Sequence, residues 1–112
     1  MMIAIAWKPC YYVIVIQSFK DGGSEDVFNG KASKRARKLC PGKLWRAAVR
    51  KLDLLDSVES LDELRIPPGN RLEALSGGRR GQHSIRINEQ YRVCFVWSNL
   101  GPAGVEIVDY HR

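Results

Sequence analysis

Residues 82–110 contain three strand-type segments separated by turns too short to carry a crossover, and this restricts the fold more than any other feature of the chain. In 82–87 the pattern alternates: Ile85 and Ile87 point one way, Ser84 and Arg86 the other. Asn88-Glu89-Gln90 turns the chain into 91–97, its most apolar stretch. A loop over 98–104, with Gly101-Pro102, leads to a last strand at 105–110. Parallel neighbours would need connections of about a dozen residues or more, so these strands form an antiparallel meander. Residues 70–75 are a further candidate strand, and Gly77-Gly78-Arg79-Arg80-Gly81 reads as a tight glycine turn before the meander.

The period is different upstream. Leu44, Trp45, Ala48, Val49, Leu52 and Leu55 recur at helical spacing and make one apolar stripe, which predicts a helix over 43–55. On that stripe Trp45 reads as core rather than as a platform for a nucleic-acid base. Shorter helices are expected from Ser24, taken as an N-cap, to Asn29-Gly30, and from Ser33 to Leu39, closed by Pro41-Gly42. Ser60-Leu61-Asp62-Glu63 matches a capping box ahead of Pro67-Pro68-Gly69. The β-branched and aromatic run at 11–19 predicts a buried strand. The outline is an α+β domain: an N-terminal strand and two to three helices packed on an antiparallel sheet.

With 112 residues, the chain forms one domain, and its 45% hydrophobic and 27% charged content is that of a globular protein. No apolar run approaches the ~20 residues of a membrane helix. The apolar start is interrupted by Lys8 and Pro9 and lacks the features of a secretory signal, so a cytoplasmic location is expected. Cys10, Cys40 and Cys94 form no Cys-x-x-Cys pair, and Cys94 sits in an apolar strand as a small hydrophobe. His83 and His111 are the two histidines, so neither a metal site nor another cofactor is expected; His83, beside a turn, reads as a surface residue.

A formal net charge of +6 points to a polyanionic partner. The charge is unevenly spread. Nine basic residues and no acidic one lie between positions 31 and 51, Lys34, Arg37 and Lys38 among them. A later set, Arg65, Arg71, Arg79, Arg80, Arg86 and Arg92, consists of arginine alone, whose planar fork suits phosphate. Phosphate loops, zinc-protease helices and serine-hydrolase elbows have no matching motif. What remains is a set of strand arginines with Asp109-Tyr110-His111 at the end of the last strand. These parts suit metal-free RNA cleavage: a base takes the 2′-hydroxyl proton, arginines hold the charge that builds on phosphate, and an acid protonates the leaving 5′ oxygen. Pattern alone stops at a small basic α+β domain that binds RNA or DNA.

Longer strings go further. The segments Ile16-Gln17-Ser18-Phe19-Lys20-Asp21-Gly22, Pro67-Pro68-Gly69-Asn70-Arg71-Leu72-Glu73-Ala74-Leu75, Gly81-Gln82-His83-Ser84-Ile85-Arg86-Ile87-Asn88, Gln90-Tyr91-Arg92-Val93-Cys94-Phe95 and Val105-Glu106-Ile107-Val108-Asp109-Tyr110-His111 occur in the order and spacing of one family. Jointly they make the chain resemble the HigB plasmid-maintenance killers of the RelE/ParE superfamily, over residues 15–112. Residues 1–14 lie outside the resemblance and read as an N-terminal extension.

The resemblance implies a curved antiparallel sheet flanked by N-terminal helices. It also implies a type II toxin that cleaves mRNA on the ribosome, without a metal, and is held by a HigA-type helix-turn-helix antitoxin with which it binds operator DNA. By position, Arg92 corresponds to the superfamily's strand arginine at the scissile phosphate. Asp109, Tyr110 and His111 correspond to its C-terminal catalytic trio. Arg80 and Arg86 fall at RNA-holding positions, with Arg71, Arg79, Lys34, Arg37 and Lys38 as further RNA contacts. There is one departure: where several relatives carry a histidine and, three residues later, a lysine, this chain has Glu73 and Ser76. Glu73 becomes the candidate base. Two alternatives stay open, a ParE-like gyrase inhibitor and a binding module without catalysis.

Overall fold

The computed structural model describes residues 14–110. Its element order is helices first and sheet second: α1 (Gly22–Phe28), α2 (Lys34–Leu39), α3 (Trp45–Leu55), then β1 (Glu73–Ala74), β2 (His83–Arg86), β3 (Tyr91–Ser98) and β4 (Gly101–Asp109). The strands form one antiparallel sheet in the order β1-β2-β3-β4. This is the α+β arrangement that the change of period predicts. None of the helices in residues 14–110 is long and apolar enough to cross a membrane.

Cross-strand register sorts the sheet into two faces. Ile85, Val93 and Ile107 lie opposite one another and are buried. With Phe95 they meet Ala48, Leu52 and Leu55 of α3 and Val27 of α1 in one hydrophobic core. At roughly 1.5–3 kcal/mol per buried aliphatic side chain, this seam is the main stabilising contact of the domain. Ser84, Cys94 and Glu106 form the neighbouring row and point the other way, as do Arg86, Arg92 and Val108. The second face is therefore polar and turned away from the helical core, and its central row is shielded by its own neighbours: Ser84 and Cys94 are fully buried.

The α1–α2 pair is tied at its start. Asp21, not Ser24, caps α1: its carboxylate accepts the Ser24 N–H at 2.6 Å. Ser24 lies one turn inside, fully buried, where its hydroxyl accepts the Ile107 N–H at 2.9 Å. An otherwise unpaired edge donor of β4 is thereby satisfied, which is the stronger demand on a buried hydroxyl. At Gly22 a β-carbon would meet the Arg35 guanidinium, so a side chain there would push Arg35 out of its present position. Arg35 donates from Nε and Nη2 to the two oxygens of Asp26, at 2.6 and 3.1 Å, and Ser33 Oγ donates to Asp26 at 2.6 Å. These contacts hold the Asp26 carboxyl down at about 2.

Several boundaries differ from the sequence reading. Within the described part of 11–19 the chain forms no regular strand: it meets the edge of β4 through one parallel bridge, Phe19 to Val105, and a hydrogen bond from the Gln17 N–H to the Pro102 carbonyl at 2.7 Å; residues 11–13 lie outside the described residues. Ser60 forms no side-chain cap, and the turn it precedes is a 3-10 helix, Leu61–Arg65. In 70–75 only Glu73 and Ala74 are paired strand, since Asn70 belongs to a 3-10 turn and Arg71 has φ +48°. The expected loop at 98–104 is instead a tight hairpin at Asn99-Leu100, and β4 starts at Gly101. Gly101, at φ +129°, is packed against the Val15 carbonyl, where a side chain has no room.

Candidate active site on the polar face of the sheet

Arg92 lies at the centre of the polar face. Its position follows from alternation in β3, which sends Val93 to the core and Arg92 to the opposite side. Nε donates to Ser84 Oγ at 2.8 Å, and Nη2 donates to the Arg71 carbonyl at 2.6 Å. The Glu73 carboxylate stands 3.8 Å from Nη2, and the Tyr110 ring lies beneath the guanidinium, 5.6 Å from its carbon to the ring centroid. Only 11% of the Arg92 side chain is exposed, against 53% for Glu73. The arginine is thus fixed by protein oxygens and an aromatic face, and the carboxylate is free to be displaced at the rim.

Arg86 sits directly across from Arg92 in the β2–β3 register. Two like charges facing each other across strands repel, by up to about 1 kcal/mol, unless an anion lies between or beside them. Glu73, paired with Ser84 in register, supplies part of that counter-charge. A phosphate group is the other species such a pair accommodates. The left-handed backbone of Arg71, costing about 1–2 kcal/mol for a non-glycine residue, turns its carbonyl towards Arg92.

The family model described as the RelE-like toxin of type II toxin–antitoxin system HigB matches residues 17–111. A protein described as Toxin HigB-1, from Vibrio cholerae serotype O1, is 43% identical over 94 residues, covering 84% of this chain and 95% of that protein. The chain belongs to the HigB-like toxin family. An uncharacterised protein of Haemophilus influenzae is 39% identical over 59 residues, 53% of this chain and 58% of that one.

In this HigB-like toxin the remaining predicted residues divide by face. Tyr110 joins Arg92, as the two-residue period of the final strand requires. Asp109 does not: it is the register partner of Tyr91, whose ring is buried on the helix side, and it accepts from Gln90 Nε2 at 3.1 and 3.2 Å. Burial, with Asp109 nearby, raises the Tyr91 hydroxyl above its ordinary range. His111 lies outside the described residues. Arg79 reaches over the polar face to donate from Nη1 to Glu106 at 2.9 Å and to Gln82 Oε1 at 3.0 Å, and the Glu106 contact raises its pKa. Arg71 and Arg80 are exposed around the same face, whereas Lys34, Arg37 and Lys38 are exposed on α2, in the helical layer.

His83 is not a surface residue. It is half-buried on the helix side, stacked on Phe95 at 6.3 Å, with Nδ1 sealed from solvent and without a hydrogen-bond partner. A turn neighbour reads as exposed in sequence; the actual burial comes from Leu61, Leu72 and Ala74, which share the cavity it lines. Sequence reasoning also passed over Ser84. Its place in the alternation marked it as polar-face, but nothing in a one-dimensional pattern showed that its hydroxyl would be fully buried against Arg92.

Proposed function

We propose that this toxin is a metal-independent endoribonuclease that cleaves mRNA during translation on the ribosome. The observation that carries this reading is the Arg86–Arg92 pair on the polar face of the sheet, away from the helical core, with Tyr110 against Arg92. Two guanidinium groups suit one scissile phosphate, and an aromatic ring beside them suits an unstacked base. In the proposed reaction the 2′-oxygen attacks the adjacent phosphorus and the 5′-oxygen leaves, giving a 2′,3′-cyclic phosphate and a 5′-hydroxyl. Glu73, at the rim beside Arg92, takes the 2′-hydroxyl proton. Arg92 and Arg86 hold the charge that builds on the non-bridging oxygens, and His111 protonates the leaving oxygen. Asp109, on the other face, ties the end of β4 to Gln90. Arg71, Arg79 and Arg80 flank the substrate path, and Lys34, Arg37 and Lys38 hold ribosomal RNA.

A toxin of this family acts under the control of a cognate antitoxin. In our reading that partner is a HigA-type helix-turn-helix protein, which neutralises the toxin and carries it to operator DNA. The chain works in the cytoplasm, where mRNA and ribosomes are. Primer extension on a defined mRNA in a reconstituted translation system tests the core of the proposal. Wild-type protein is expected to produce new ends within codons, Arg92→Ala to abolish them and His111→Ala to weaken them at least a hundredfold, as loss of a general acid does. Intact mRNA with folded wild-type protein would transfer the assignment to gyrase inhibition or to binding alone.

A further inference from the structure

The Arg92 guanidinium is oriented by a buried hydroxyl that plays no part in the chemistry proposed above. Ser84 has no solvent exposure, and its Oγ accepts from Arg92 Nε at 2.8 Å. It sits in β2 directly opposite Glu73 on one side and Cys94 on the other. Its neighbours in that row leave it no solvent, so without Arg92 the hydroxyl would lose a partner in the one place where water does not replace it. The Arg71 carbonyl pins the Nη2 side of the same fork. Two fixed acceptors at different corners of a planar group remove its rotation about the last side-chain bond, which is what alignment with a phosphate requires.

We propose that Ser84 is a positioning residue: it holds the Arg92 guanidinium in the plane in which it meets the scissile phosphate. The kinetic part rests on the nuclease reading. Alanine at position 84 leaves the strand and core intact but frees Nε, so Arg92 keeps its charge and loses its aim. RNA binding, carried by the surrounding arginines, stays nearly constant while the chemical step slows.

Two measurements decide this. In protein labelled with 15N-arginine, with the signal assigned through Arg92→Lys, the Arg92 Nε proton is expected to exchange slowly in wild type and rapidly in Ser84→Ala. Under single turnover on programmed ribosomes, Ser84→Ala is expected to cut the maximal cleavage rate about tenfold, with the half-saturating ribosome concentration within twofold of wild type and a melting temperature lowered by only several degrees, so that the protein stays folded at the assay temperature. In an Arg92→Lys background, which has no Nε, Ser84→Ala should cost nothing more. An equal additional loss in that background, or a wild-type rate in Ser84→Ala, would overturn the proposal. A protected Nε signal in a wild-type protein that cleaves no RNA would instead overturn the nuclease reading and reduce Ser84 to a structural support of Arg92.

Discussion

Glu73 carries two opposed roles at the residue scale. Its carboxylate lies 3.8 Å from Arg92 and more than half exposed, so it both neutralises the phosphate site of the free protein and offers a proton acceptor beside it. Glu73→Gln separates the two. The expected outcome is RNA binding strengthened by a few-fold, the size of an exposed ion pair, together with cleavage slowed by about a hundredfold from loss of the base. Filter binding and single-turnover cleavage on the same preparation check both halves; unchanged values in both would make Glu73 an ordinary rim residue. Arg92, Arg86 and Tyr110 share one face because each obeys the two-residue period of its strand; the sequence reading used that period for Arg86 and strand proximity for Tyr110. It grouped Asp109 with them because adjacency in the chain hides the alternation that puts neighbours on opposite faces.

At the scale of elements, the α1–α2 hairpin depends on a latch with a titratable centre. Asp26 is nearly inaccessible, receives three hydrogen bonds from Arg35 and Ser33, and has its carboxyl lowered from 3.8 to about 2. Folding therefore favours the ionised form. That contribution is complete above about pH 4 and disappears as pH falls towards 2. Urea midpoints measured between pH 6 and pH 2 should show Asp26→Asn clearly less stable than wild type at the upper end and level with it at the lower. A constant gap would mean that Asp26 contributes only shape. The helices were legible because an amphipathic stripe and the stops at Asn29-Gly30 and Pro41-Gly42 are local signals. The strand at 70–75 was not, because its length depends on the turn around buried Asn70, whose side chain bonds the Leu64 and Ile66 carbonyls and Lys51.

The whole molecule presents two kinds of surface back to back. One is the polar sheet face with its clustered arginines; the other is the helical layer, with exposed Lys34, Arg37 and Lys38. Reversing the charge of these three to glutamate should weaken ribosome association and flatten its salt dependence by about two to three units of log K per log salt, given ~0.7–0.9 per phosphate contact. Cleavage of ribosomes at saturating concentration should stay near wild type, since Arg92 is untouched. Sedimentation at graded potassium concentrations reads the first effect and primer extension the second; a lost maximal rate with unchanged binding would contradict the division of labour. Charge runs in the sequence announced both surfaces, but only packing reveals that the sheet lies between them.

Cys40 and Cys94 occupy these two layers, each at most 2% exposed and each with its thiol raised by burial. A thiol in that state reacts with alkylating reagents only when its surroundings open. Cys40 lies beyond α2 among the helices, and Cys94 lies in β3 beneath the Arg79–Glu106 pair. The described residues thus contain two native clocks, one timing the separation of the helical layer and the other the exposure of the sheet. Antitoxin that clasps one layer would slow one clock and leave the other running, so quantifying alkylation at the two peptides would locate the grip of the partner without altering a single residue.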